Sequence, residues 1–168
     1  MYIHILTMNP NQATRKTLVA DARAVAVSCA GMNARLAARL ISRFLDGRLR
    51  EAGLSVAQFG LMVHIAAAAD DTIGALAERS GLDQSTLSRN LRGLEAAGLI
   101  EITVVERDQR RRAVWLTETG AQKLEAAIPA WRRAQGELSA IIDPGDVRKL
   151  AVAAARLTEQ AAHSPAAT

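Results

Sequence analysis

The 168-residue sequence predicts a mainly α-helical chain with one small β-hairpin. Three observations carry that expectation. Apolar residues recur at helical spacing over most of the length, and a helix–glycine–helix pattern occupies residues 73–98. Two β-type segments, 99–105 and 113–117, bracket a charged stretch. Apolar residues make up 49% and charged residues 23%, the balance of a folded globular chain, which excludes wholesale disorder.

Taken in order, residues 1–13 are expected to lack structure, with Met8 an alternative start. Residues 14–52 are rich in Ala, Leu and Arg and contain no Pro. They read as one long helix or two meeting near Gly31, with Leu36, Leu40, Phe44 and Leu45 at helical spacing and Arg35, Arg39 and Arg43 beside them. Gly53 closes the segment, and Ser55 can cap a helix from Val56 to Ala69 whose inner face includes Phe59, Met62, Val63 and Ala66. After the polar break Asp70–Asp71–Thr72, a short helix spans Ile73 to Arg79 and stops at Ser80–Gly81. Asp83 can cap the next helix, Gln84 to Ala97, which Gly98 ends. Strands Leu99–Val105 and Ala113–Thr117 flank a charged turn, Glu106–Arg112. A helix from Thr117 to Leu138 is interrupted by Pro129, where a kink is expected. Asp143–Pro144 then starts a last helix to about Ala162, with Pro at the first helical position. The organisation expected is 1–13 unstructured, 14–52 an N-terminal helical region, 53–120 a central domain, 121–163 C-terminal helices and 164–168 a tail.

Several functions are excluded at this level. The longest apolar run, Ile65–Ala69, is far shorter than the ~18 residues of a spanning helix, so no membrane partner is expected. No basic segment followed by an apolar stretch marks a signal peptide at the N-terminus. A single cysteine, Cys29, rules out an internal disulfide framework and a cysteine-based zinc cluster, and suits a reducing cytoplasm. His4, His64 and His163 have no metal-ligand spacing. No Ser–His–Asp set, paired-carboxylate motif or phosphate-cradling glycine loop can be assembled, so neither an enzyme nor a cofactor is expected. Aromatics at 3% supply no stacking platform for single-stranded nucleic acid.

Residues 73–98 read IGALAERSGLDQSTLSRNLRGLEAAG. Leu76, Ala77, Gly81, Leu82 and Leu87 stand at the offsets of a helix-turn-helix. Two steeply crossing helices need a small residue at their contact, here Ala77, and the tight turn needs positive φ, here Gly81. With Leu82, Leu87, Leu91 and Leu94 inward, Gln84, Ser85, Thr86, Ser88, Arg89 and Arg92 face out, suited to a major-groove edge and flanking phosphates. A packed αα-corner shows the same Ala-x-x-x-Gly pattern. The hairpin that follows, with Arg107, Arg110, Arg111 and Arg112 at its turn, favours a winged helix-turn-helix, although a solvated loop also carries such a run.

Residues from about 33 to 160 resemble the MarR family of winged helix-turn-helix regulators. The resemblance lies in Gly53-Leu54-Ser55-x-x-Gln58-Phe59, Leu76-Ala77-Glu78-x-x-Gly81-Leu82-x-x-Ser85-Thr86-Leu87-Ser88-Arg89 and Leu91-x-x-Leu94-Glu95-x-x-Gly98-Leu99-Ile100. It continues in Asp108-x-Arg110-Arg111 and Leu116-Thr117-x-x-Gly120, the most distinctive pair. The resemblance implies a mainly α fold with a small β-hairpin wing, its winged helix-turn-helix core flanked by N- and C-terminal dimerisation helices. It further implies a homodimer reading a pseudo-palindromic operator in double-stranded DNA. The helix Gln84–Ala97 would enter the major groove, and Arg110 would project from the wing tip, oriented by Asp108 through a charge-assisted bond. Before the wing the chain departs from its relatives: Ile102-Thr103-Val104-Val105 replaces a loop that often holds Arg, Pro and Asp, which predicts a longer apolar strand.

Four further residues are candidates for sensing. Some relatives sense peroxides through a cysteine near the start of the first long helix, which makes Cys29 a redox candidate; an inert buried thiol is the other reading. His64 lies where similar proteins line a ligand cavity, and with Phe59 and Trp115 it could border a small aromatic or amphipathic ligand. A structural histidine and ordinary core aromatics are the alternatives. The leading expectation is a DNA-binding repressor released by a small molecule. A winged-helix protein–protein or dimerisation module without a DNA target, and a regulator acting through Cys29, stand beside it.

Charge alone does not decide among these. The formal net charge is +4, yet residues 1–50 hold eight Lys/Arg against two Asp/Glu, and residues 73–112 hold seven against six. Placement of the arginines, not their total, points to DNA.

Overall fold

The computed structural model describes residues 10–67, 72–105 and 108–163, with side chains over 17–67, 72–103 and 112–157. The expectations for residues 1–9, Asp70, Asp71, Arg107 and the tail 164–168 lie outside the described residues. Among those described, the order is α1 (Pro10–Ser28), α2 (Ala30–Leu49), a 3-10 turn (Arg50–Ala52), α3 (Val56–Ala66), α4 (Ile73–Ser80) and α5 (Gln84–Ala96). Strands β1 (Ile100–Val105) and β2 (Asp108–Leu116) follow, then α6 (Glu118–Ser139) and α7 (Pro144–His163). The chain forms two compact units, Met1–Phe44 and Leu45–Thr168.

In the first unit, α1 opens on Pro10, whose missing N–H is no loss at a first helical position. The helix thus begins inside the 1–13 stretch expected to lack structure, which corrects that boundary. The helices part at Cys29, two residues before the expected Gly31. Across this break the Cys29 amide donates to the Val25 carbonyl at 2.9 Å, and Asn33 Nδ2 donates to the Val27 carbonyl at 2.9 Å. Apolar side chains here stay uncovered: Leu18 is 65% exposed, Val27 79%, Leu36 48% and Leu40 54%.

The second unit holds the core, in which Leu49, Phe59, Leu61, Met62, Leu76, Leu87, Leu91, Leu94, Ile100, Val114 and Leu124 pack together. Ser55 and Gln58 cap α3 reciprocally: the Gln58 amide donates to Ser55 Oγ at 3.2 Å and the Ser55 amide to Gln58 Oε1 at 3.0 Å. The Val56 amide donates to Asp46 Oδ1 at 2.7 Å, tying α3 to the end of α2. Expected to reach Ala69, α3 ends at Ala66, and its inner face is Phe59, Leu61, Met62 and Ile65. Val63, expected inside, is exposed. The segment is apolar nearly all round, so the sequence offers no contrast by which to choose a face.

In the hairpin, Ile100 stands opposite Leu116 and the antiparallel register continues to Val104 opposite Arg112. Val105 then pairs with Asp108, so Gln109, Arg110 and Arg111 are extra residues on β2. This bulge corrects the expected turn Glu106–Arg112: residues 108–112 are strand. The polarity of these side chains suggests a turn, but in a two-stranded ribbon backbone pairing decides. β1 extends through Val105, as the apolar run Ile102–Val105 implies.

The start of α6 is pressed onto the end of the helix-turn-helix. The Thr117 hydroxyl donates to the Gly98 carbonyl at 2.7 Å and its amide to the Leu99 carbonyl at 3.1 Å, while the hydroxyl oxygen accepts the Gly120 amide at 3.0 Å. A Cβ placed on Gly120 would overlap the Leu99 carbonyl oxygen and lie 2.9 Å from its carbon. Only glycine fits this approach. Farther along, α6 passes through Pro129 as one helix, although the proline leaves the Glu125 carbonyl without its intrahelical donor. Arg48 Nη2 and Nε reach Glu137 Oε2 at 2.6 and 3.1 Å, joining the end of α2 to α6.

Gly120→Ala is expected to lower unfolding free energy by about 3 kcal/mol, because the obstacle is backbone. Gly136→Ala, with nothing within 4 Å of the added methyl, is expected to raise it by about 0.5–1 kcal/mol through helix propensity. Urea unfolding of both variants checks the contrast.

Candidate nucleic-acid interface

The candidate surface is built on α4 and α5. Thr72 caps α4, its hydroxyl accepting the Ala75 amide at 3.3 Å. Gly81 ends the helix at φ 62°, donating its amide to the Ala77 carbonyl at 3.0 Å. The positive φ lets the chain reverse tightly into α5, as the sequence anticipates. Leu87, Leu91 and Leu94 are at most 2% exposed and anchor α5 in the core with Leu76. Once that stripe is fixed, the opposite face has nowhere to go but outward.

The structure brings the six α5 candidates onto one helix. Gln84, Ser85, Arg89 and Arg92 are exposed, and Thr86 and Ser88 half-buried. Arg92 Nε donates to the Ser88 carbonyl at 3.3 Å, holding that side chain along the helix. On the wing, Arg112 is exposed opposite Val104. Asp108, Arg110 and Arg111 are placed by their backbone in β2, the two arginines within the bulge; their side chains, and the expected Asp108–Arg110 bond, lie outside the described residues.

Asp83 does more than the cap expected of it. Its Oδ1 accepts the Thr86 amide at 2.8 Å and the Ser85 hydroxyl at 2.6 Å, and its Oδ2 accepts the Thr86 hydroxyl at 2.9 Å. The Ser85 hydroxyl, then the Thr86 amide and hydroxyl, hold the Asp83 carboxyl well below the usual carboxylate range. The signal was present as Asp-x-Ser-Thr, since hydroxyls two and three residues beyond an N-cap fall within its reach.

The sensing candidates are not gathered. Phe59 is buried and stacks on Trp131, ring centroids 6.0 Å apart. His64 is half-buried on α3, and Trp115 is 41% exposed on β2 opposite Glu101. One cleft of about 460 Å³ runs along α7 and another of about 150 Å³ lies beside the Arg48–Glu137 pair; neither is lined by those three residues. Cys29 is a half-buried free thiol at the α1–α2 break. Among the described residues, no group of three or more His, Cys, Asp or Glu could hold a metal, and no single helix is long and apolar enough to cross a membrane.

With this geometry in place, known proteins supply context. The sequence model of the MarR family matches residues 52–111. The transcriptional regulator MosR of M. tuberculosis, in a crystal structure with DNA, is similar at 32% identity and TM-score 0.73, over 80% of this chain and 98% of that one. A mutant MarR from E. coli complexed with operator DNA shares 23% identity and a TM-score of 0.66, over 79% of this chain and 96% of that one. The regulator PcaV from Streptomyces coelicolor, in complex with its natural ligand, shares 19% identity and a TM-score of 0.67, over 81% and 96%. These last two bear on fold alone. No curated protein matches the chain.

The Asp83 bonds carry a pH signature. Its folded-state pKa lies below the ordinary 3.8, so its stabilising contribution is complete above that value and lost as pH falls through the lower one. The melting-temperature gap between the wild type and Asp83→Ala is expected to hold from about pH 7 to about pH 4 and to close only in stronger acid. A thermal-melt series checks this, and a gap already closed near pH 5 contradicts it.

Proposed function

Because the chain belongs to the MarR family, we propose that it is a dimeric, sequence-specific DNA-binding regulator of transcription, acting in the cytoplasm as a repressor released by a small-molecule ligand. The observation that carries the DNA-reading part is the outer face of α5. Its hydroxyls and amide, with arginines a turn later, follow a glycine-closed helix pair and precede a hairpin that bears Arg110–Arg112. MosR, MepR of S. aureus and E. coli MarR are each known in a complex with DNA. Members of this family are transcription regulators and not enzymes.

Dimerisation is supported by uncovered surface. Exposed apolar side chains recur on α1 and α2 (Leu18, Val25, Met32, Leu36, Leu40) and on α7 (Val147, Leu150, Val152, Leu157). A second copy of the chain would cover such surfaces and set two α5 helices about one turn of DNA apart. A ligand that binds better to the form with mismatched spacing would release the operator by shifting populations.

Two measurements test the reading. Arg110→Ala is expected to weaken binding to every duplex and to lower the slope of log affinity against log salt by about 1.8, two phosphates per dimer at ~0.9 each. Mobility shifts indistinguishable from the wild type at moderate salt would remove the wing from the interface. In sedimentation equilibrium the wild type is expected at twice 17.9 kDa, and Leu36→Asp with Leu40→Asp at the single mass.

A further inference from the structure

We infer that Asp83 sets which bases α5 can read, by turning the hydroxyl hydrogens of Ser85 and Thr86 inward so that these two side chains offer the groove only hydrogen-bond acceptors. The inference rests on the DNA-reading role of α5 proposed above and adds a chemical selection rule to it. An N-cap aspartate needs only one bond, to the backbone amide of the third helical residue, and Thr86 N supplies it at 2.8 Å. The two hydroxyl bonds are additional: Ser85 Oγ to Oδ1 at 2.6 Å and Thr86 Oγ1 to Oδ2 at 2.9 Å. They occupy both carboxylate oxygens, so the carboxylate cannot rotate without breaking one of them.

The direction of these bonds is fixed by chemistry. An ionised carboxylate can only accept, and a hydroxyl has one hydrogen and two lone pairs. Ser85 and Thr86 have therefore committed their only donors to Asp83. What remains on both oxygens, and on the exposed carboxylate, is lone pairs.

In the major groove the exposed donors are the adenine N6 and cytosine N4 amino groups, whereas guanine O6 and N7 and thymine O4 are acceptors. An all-acceptor corner binds the first pair and repels the second. Asp83 is thus a positioning residue that selects an amino-bearing base through Ser85 and Thr86. Arg89, whose guanidinium only donates, is left to serve guanine or phosphate further along the helix. Asp83→Asn isolates the effect. The amide oxygen can still cap Thr86, but its NH₂ donates to a hydroxyl oxygen and frees that hydroxyl's hydrogen to point outward.

The experiment selects bound duplexes from a randomised pool with the full-length wild type, Ser85→Ala, Thr86→Val and Asp83→Asn, and sequences them. The position read by the corner is the one whose preference Ser85→Ala or Thr86→Val abolishes. There the wild type is expected to select adenine or cytosine over guanine or thymine by roughly three- to tenfold, the worth of one hydrogen bond. Asp83→Asn is expected to move that position toward guanine or thymine while neighbouring positions stay unchanged. Wild-type selection of guanine or thymine there would overturn the inference. So would an unchanged preference in Asp83→Asn, or no position altered by either hydroxyl variant. If the wild type enriches no sequence at all, the failure lies with the DNA-reading role itself.

Discussion

Where α5 gives way to β1, the Leu99 carbonyl accepts the Thr117 amide and the Gly98 carbonyl accepts the Thr117 hydroxyl, so the end of β2 and the start of α6 close over that turn. Gly98 reaches the corner at φ 69°, and Gly120 lets α6 come within contact distance of the Leu99 backbone. No side chain could occupy the gap at Gly120. The corner therefore sets the direction in which the hairpin leaves α5 and the level at which α6 begins. Helix and wing are held as one piece because their four ends share a few backbone groups.

The hydrophobic core completes what the corner begins. Leu87, Leu91 and Leu94 seat α5 among Leu76, Met62, Ile100 and Val114. That burial fixes the rotation of α5 about its own axis, and rotation decides which side chains a DNA groove would meet. The outer face is then refined by local polar chemistry. Asp83 orders the hydroxyls of Ser85 and Thr86, and Ser88 holds the Arg92 side chain along the helix. A surface whose donors and acceptors are arranged beforehand has less freedom to lose on binding.

Much of this was legible in the sequence. Gly53, Gly81 and Gly98 all take positive φ at the helix ends where they were expected, and Ser55, Asp83 and Thr117 cap the helices that follow. Such signals are local, so one sequence suffices to read them. Three features were not legible, each because its cause is not local. The early start of β2 depends on pairing with β1, which overrides the turn-like polarity of Gln109–Arg112. The inner face of α3 depends on neighbours, since Leu61 and Ile65 differ little in polarity from Val63 and Ala66. The Arg48–Glu137 pair joins residues 89 apart in sequence, beyond any helical or strand period. Of the candidate site, the α5 residues were legible, and the Asp83 network was signalled by Asp-x-Ser-Thr, although its bonds are defined only by side-chain geometry. Phe59, read both on the inner face of α3 and as a pocket residue, is buried against Trp131.

We propose that two copies of the chain, each fixing α5 and the wing as one piece, read opposite halves of one operator. Hydroxyl-radical footprinting of a selected duplex tests it most directly, because cleavage reports backbone contact nucleotide by nucleotide. Two protected zones related by a dyad are expected, their centres about 10–10.5 base pairs apart on one face of the duplex. Protection is also expected in the flanking minor grooves, where the wings would lie. A single protected zone without dyad symmetry, or two zones on opposite faces of the duplex, would contradict it.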